Sequence, residues 1–178
     1  MNKPKRQLLK ECALFIASLF SYTFGFGGLK SFYIPGFLIN HYLAQRFPIE
    51  KKWFIFELNF SNPFLDFLSP NQELFLRCEV SLLILNSQPK LGQITLVSSY
   101  RYDPDTHYIF LKKPRIAHFH IDGLQDQSEE ILQAVSSGIA SLFEERPIYE
   151  IRDRDIQFFD KAPHKILVED GGIRFFFN

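Results

Sequence analysis

His118 and His120 lie two residues apart, with Asp122 two residues beyond. On a β-strand that spacing sets all three on one face, a pattern some metal sites use. A closed zinc site takes four ligands, and no third histidine or further carboxylate stands nearby to complete a set. The pair reads as two histidines on a half-exposed strand, and no metal is expected. Cys78 sits on an apolar alternation and reads as a small buried hydrophobe, with a reactive thiol as the alternative. Cys12, the other cysteine, falls in an apolar N-terminal run, so no intramolecular disulfide is expected in a mature domain. Ser136-Ser137-Gly138 falls in the middle of a helical pattern, an unusual place for a nucleophile. Glu129-Glu130, Glu144-Glu145 and Asp153-Arg154-Asp155 read as solvated charge. The chain has no G-x-S-x-G, no P-loop, no G-x-G-x-x-G and no C-x-x-C. Neither an enzyme nor a cofactor is expected.

What the sequence offers instead is apolar surface. It holds 21 Phe and 7 Tyr against a single Trp and a single Met, and each aromatic ring can bury a large apolar area. Twenty basic residues balance twenty acidic ones, which leaves no electrostatic footprint for nucleic acid.

These residues fall into elements with clear periods. Residues 34–47 read as a helix: Pro35 suits its first turn, Ile39, Leu43 and Phe47 recur at i, i+4, i+8, and Pro48 ends it. Leu38 and Tyr42 broaden that stripe; His41 and Arg46 sit off it. Residues 53–60 alternate as a strand, with Phe54, Phe56, Leu58 and Phe60 on one face, until Asn62-Pro63 breaks the pattern. Phe64-Leu65-Asp66-Phe67-Leu68 reads as an apolar connector closed by Ser69-Pro70-Asn71. Residues 75–85 and 93–102 alternate again, and residues 107–121 form a long strand in which Pro114 demands an edge or a bulge. Residues 126–146 give the strongest helix, capped by Asp126 with Glu129, lined by Ile131, Val135, Ile139 and Leu142, and stopped by Pro147. A short helix follows over 153–161. A hairpin over 165–168 and 173–177 then turns at Glu169-Asp170-Gly171-Gly172.

The N-terminus has the layout of an export signal. Lys3, Lys5, Arg6 and Lys10 precede an apolar run of 15 residues, 12–26, that ends in Gly27-Gly28. As a helix the run would be about 22 Å long, short of the about 30 Å hydrocarbon core. Gly25 and Gly27 suit a cleavage before Gly28; uncleaved, the run is a marginal membrane anchor, and the alternative to both is a buried core helix. Two segments are therefore expected: residues 1–28 as signal peptide or anchor, and residues 29–178 as one domain of about 150 residues, enough to bury a core without disulfides. The basic residues ahead of the run predict an N-terminus left in the cytoplasm and a domain outside it, free or held to the membrane.

The order helix, four-strand meander, long helix, short helix, hairpin is an α+β plan with an antiparallel sheet. From Phe32 onward it resembles the YceB-like family of bacterial envelope lipoproteins. The matching residues are Tyr33-Ile34, Ile39-Asn40 and Leu43; Tyr102-Asp103-Pro104 and Ile109-Phe110-Leu111-Lys112 before Ile116; Leu142-Phe143 and Pro147-Ile148-Tyr149-Glu150-Ile151; and Ile166-Leu167-Val168-Glu169 with Gly172-Ile173 and Phe175. Family members carry a lipobox cysteine directly after the apolar run. Gly27-Gly28-Leu29-Lys30 stands there in this chain, so a lipid anchor does not follow. The resemblance implies half of a tubular lipid-binding domain: a curved antiparallel sheet, four-strand meander plus C-terminal hairpin, wrapped around a long helix that lines an apolar groove with it. It implies no enzymatic activity.

Two functions are expected from this. The first is a lipid or other apolar ligand held between helix and sheet, against Phe54, Phe56, Leu58, Val80, Leu82, Leu96, Ile109, Leu111, Ile131, Val135, Ile139 and Leu142. The second is a structural or interaction protein of the envelope in which these residues pack as a dry core, with the segment from Phe64 to Leu68 meeting a protein partner.

Overall fold

The chain is described by a computed structural model over residues 30–52, 56–84, 87–123, 128–151 and 163–177, with the side chains of residues 30, 128–132, 134 and 135 left out. Strand β1 (Lys30–Pro35) leads into helix α1 (Gly36–Ala44). Then come β2 (Ile49–Lys52), β3 (Phe56–Leu68), a 3₁₀ turn (Ser69–Asn71), β4 (Glu73–Ile84), β5 (Lys90–Asp103) and β6 (Tyr108–Ile121). Helix α2 (Ser128–Glu144) precedes β7 (Pro147–Glu150), β8 (Lys165–Glu169) and β9 (Gly172–Phe177). The strands form two antiparallel sheets: six strands in the order β2-β3-β4-β5-β6-β7, curled into a half-barrel, and three in the order β1-β9-β8. The architecture is α+β and mostly antiparallel sheet, as the periodicities required.

The meander β3 to β6 follows from alternation. Leu76, Cys78, Val80 and Leu82 are buried along β4, while Arg77 and Glu79 are exposed. The pairs Leu58–Leu82, Phe60–Val80, Leu76–Leu96 and Leu96–Ile116 carry one apolar face across four strands. Strands β2 and β7, with four residues each, add edges that are too short to show a period.

Three expectations need correction. The helix expected over 34–47 begins at Gly36, because residues 30–35 are spent on a strand. Phe32 pairs with Phe175 and Ile34 with Ile173, and burial of Ile34 and Phe175 outweighs the helical stripe. Pro35 stays extended as the residue ahead of the helix. The first helical N–H, on Gly36, donates to Gly171 O at 2.6 Å. A Cβ on Gly36 would lie 2.8 Å from that same oxygen, so this contact requires glycine.

Secondly, Asn62-Pro63 does not end β3. A bulge between Ser61 and Phe64 inserts one extra residue, Asn62 adopts φ 48°, and pairing resumes at Phe64–Arg77. The extra residue flips the parity: Phe60 points inward before it, Leu65 and Phe67 after it. That shift hides the second half of the strand, and the apolar connector over 64–68 is a strand inside the sheet. Beyond Phe60, β3 has no β2 partner. There Asn40 of α1 takes the place of a neighbouring strand: its Nδ2 donates to Leu65 O at 3.0 Å, and Leu65 N donates to its Oδ1 at 2.6 Å.

Thirdly, the strongest helix is shorter than residues 126–146. α2 has 17 residues, and the long helix of the expected plan is not what is seen. Asp126 with its cap, the strand start at 53–55, Phe54 included, and the short helix at 153–161 lie outside the described residues. Pro147 stands where expected and opens β7.

Pro114 does mark a bulge. Lys113 takes φ 53°, the register shifts between Val97 and Ser99, and Ser98 fills the gap. The Ser98 hydroxyl donates to Lys112 O and accepts from Lys112 N, each at 3.0 Å. The closing hairpin also forms as read, turning through Asp170-Gly171 with Gly171 at φ 84°. Arg174 clasps Glu169 across it through Nε at 2.6 Å and Nη2 at 3.0 Å. Side chains tie the small sheet to the large one. The Gln72 amide bonds Val168 N and O, Tyr100 donates to Ile166 O, and Tyr102 packs edge-on against Phe175. One apolar core runs through both sheets and both helices.

Candidate functional site: the apolar interior and a recess between the helix ends

α2 lies along β6, and Phe143 in its C-terminal turn meets Phe60 of β3. The two rings meet edge-on, centroids 5.2 Å apart, and Phe143 stands 6.3 Å from Phe47. Beneath it the expected ligand-contacting residues gather on one face. Leu58, Leu96, Ile109, Leu111 and Ile139 are fully buried, Val80 and Leu82 nearly so, and Leu142 keeps 9% of its surface. Phe56 is half-buried at the start of β3, where it pairs with the half-buried Ile84. The Ile131 and Val135 side chains, like Phe54, lie outside the described residues.

This face stays apolar to its margin. Ile116 and Phe119 on β6 share it through their pairs with Leu96 and Ile94, and both are half-buried. With Phe56 and Ile84 they carry the apolar surface from the interior to solvent. Among the described residues Ser98 is the buried polar residue, and its bonds are satisfied by backbone.

The two histidines lie away from this interior, while Cys78 is buried within it. His118 and His120 pair with Thr95 and Gln93 on the outer face, and the His120 ring nitrogen lies 3.1 Å from an Asp122 oxygen. Among the described residues no group of three metal-capable side chains gathers. Burial pushes the Cys78 thiol up to about 12. The thiolate is the reactive form, so Cys78 is expected to resist alkylation at pH 8 in the folded protein and to react on unfolding. Peptide mapping after iodoacetamide treatment checks this; fast native labelling would contradict it.

The connector residues divide between the two faces of β3. Leu65 and Phe67 are buried, while Phe64 and Leu68 stay 47% and 41% exposed on the outer face. Asp66 between them pairs with Arg77 at 2.7 Å, and the Arg77 guanidinium lies 5.1 Å from the Phe64 ring centre.

A recess of about 70 Å³ opens where α1, α2, β2 and β7 meet, lined by Leu43, Phe47, Ile49, Leu76, Phe143, Pro147 and Ile148 together with Arg46 and Arg146. The sequence could not announce it, because its lining comes from elements distant along the chain. Its one trace was Arg46 lying off the α1 stripe.

The fold and this interior define a class: an α+β protein whose curled antiparallel sheet holds an apolar core. The model of the DUF1439 family, described as a protein of unknown function, matches residues 38–172, and the chain belongs to that family. No curated protein matches the sequence. Among the described residues no helix is long and apolar enough to cross a membrane.

Proposed function

We propose that this protein is a non-enzymatic protein of the bacterial cell envelope that holds a lipid or other apolar ligand between α2 and the large sheet. The observation that carries the reading is the unbroken apolar face, from the buried Leu58, Leu82 and Leu96 out to the half-buried Phe56, Ile84, Ile116 and Phe119. A ligand entering past that margin would separate α2 from β6 and exchange protein contacts for its own. Each methylene buried contributes about 0.8 kcal/mol, so an acyl chain is held without any catalytic residue. The resemblance to YceB-like envelope lipoproteins, and through them to half of a tubular lipid-binding domain, supports the same reading. The basic and apolar N-terminal segment, 1–28, would deliver the domain to the periplasm and, if retained, keep it at the membrane.

Filling the proposed space tests this. Ile139→Trp is expected to abolish uptake of a fluorescent fatty acid while the far-ultraviolet circular dichroism keeps its native form. Uptake equal to wild type would remove the site from between α2 and the sheet. A second reading, an interaction protein with a permanently closed core, is favoured by the complete burial of Leu58, Leu96, Ile109, Leu111 and Ile139 and by the exposed Phe64 and Leu68. It predicts no uptake by wild type at all.

A further inference from the structure

The recess between the helix ends combines an apolar floor with two arginines among its lining residues. Leu43, Ile49, Leu76, Phe143 and Ile148 are buried beneath it, while Arg46 and Arg146 are exposed at its mouth. The fold engages Arg46 in part and leaves Arg146 unengaged among the described residues. Arg46 stands 3.7 Å from Glu150, longer than the about 2.7–2.9 Å of a charge-assisted hydrogen bond, and its guanidinium lies 4.7 Å from the Tyr42 ring centre. Arg146 makes no hydrogen bond or ion pair among the described residues.

A guanidinium presents a planar fork of donors matched to carboxylate and phosphate oxygens. We infer that this recess is a binding site for the anionic head of a single-chain amphiphile, a carboxylate or phosphate held by Arg46 and Arg146 with the first methylenes on the apolar floor. The space limits the occupant. At about 70 Å³ the recess is small against the about 300–1,000 Å³ of pockets that enclose a whole ligand, so the floor accepts the start of one chain and the rest lies along the surface. The other role open to the two arginines is structural. Each follows a helix C-terminus by two residues, where positive charge offsets the carbonyl end of the helix dipole. That role asks nothing of an apolar floor and nothing of an added anion. The recess shares Leu76 and Phe143 with the margin of the interior, but binding in it does not rest on ligand binding between α2 and the sheet.

The test follows methyl resonances of the full chain by NMR during titration with decanoate, decyl phosphate, decanol and inorganic phosphate. Signals of Leu43, Ile49 and Ile148 report the recess; those of Leu58, Leu82 and Leu96 report the interior. The expected result is saturable movement of the recess signals with decanoate or decyl phosphate, and binding at least about tenfold weaker in the exposed-site variant Arg46→Gln/Arg146→Gln, the loss expected for hydrogen bonds to a charged group. Decanoate alone would name a fatty acid head, decyl phosphate alone a phospholipid-like head. Equal movement with decanol, movement with inorganic phosphate but neither amphiphile, an unaltered affinity in the variant, or silent recess signals would each overturn the proposal. Movement confined to the interior signals would overturn it while leaving the interior reading intact.

Discussion

Phe60→Ala is expected to cost about 3–5 kcal/mol of folding stability, the usual range for removing a buried aromatic ring. Phe60 has no accessible surface, lies opposite Val80 in the middle of the sheet, and carries the edge of the Phe143 ring 5.2 Å away. Its removal therefore takes away both a core side chain and the seat of α2. Phe60→Leu keeps apolar volume and should cost far less. Urea denaturation of the two variants against wild type reads both values from the midpoints. A loss under about 1 kcal/mol for Phe60→Ala, below the cavity range, would mean that α2 is not anchored at Phe143.

Asn40→Ala is expected to cost about 2–4 kcal/mol, because two backbone groups of Leu65 lose their partner and each unmet buried group costs about 1–3 kcal/mol. Leu65 is 1% exposed, and no β2 residue pairs with β3 there, so no strand can replace the lost amide. Asn40→Asp separates the two bonds: an aspartate oxygen still accepts from Leu65 N, while donation to Leu65 O is gone. Amide hydrogen exchange at Leu65 should therefore stay slow in Asn40→Asp and speed up in Asn40→Ala. Equal protection in Asn40→Ala and wild type would show that the Asn40 side chain does not close this edge.

Where the sequence was legible, one local pattern decided the structure. The alternation over residues 75–85 and 93–102 gave β4 and β5. Pro114 gave the bulge that Ser98 fills, and Asp170-Gly171 gave the closing turn. It was illegible where a distant partner decided. Residues 30–35 carry too few residues for a period and become a strand because Ile173 and Phe175 lie opposite. Phe64 to Leu68 looked like a connector because one inserted residue at Asn62 reversed the alternation, and Asn40, 25 residues before Leu65, bonds the strand beyond it. The interior face could be drawn up from parity alone, and Leu58, Val80, Leu82, Leu96, Ile109, Leu111 and Ile139 all lie within the core. Whether that face packs or opens is a property of the cohesion between α2 and β6, which no single segment encodes. The arginine-rimmed recess is likewise made by juxtaposition: Arg46 and Arg146 are 100 residues apart and meet because both helices end over β7 and β2.

The most direct measurement is native mass spectrometry of the full chain purified from an expressing bacterium, followed by organic extraction and analysis of the extract. Ligand binding within the sheet predicts a co-purifying acyl lipid at close to one per protein, lost in Ile139→Trp. A clean protein mass, with no uptake of added fatty acid or phospholipid, would contradict it and leave the closed core with Phe64 and Leu68 as its contact surface.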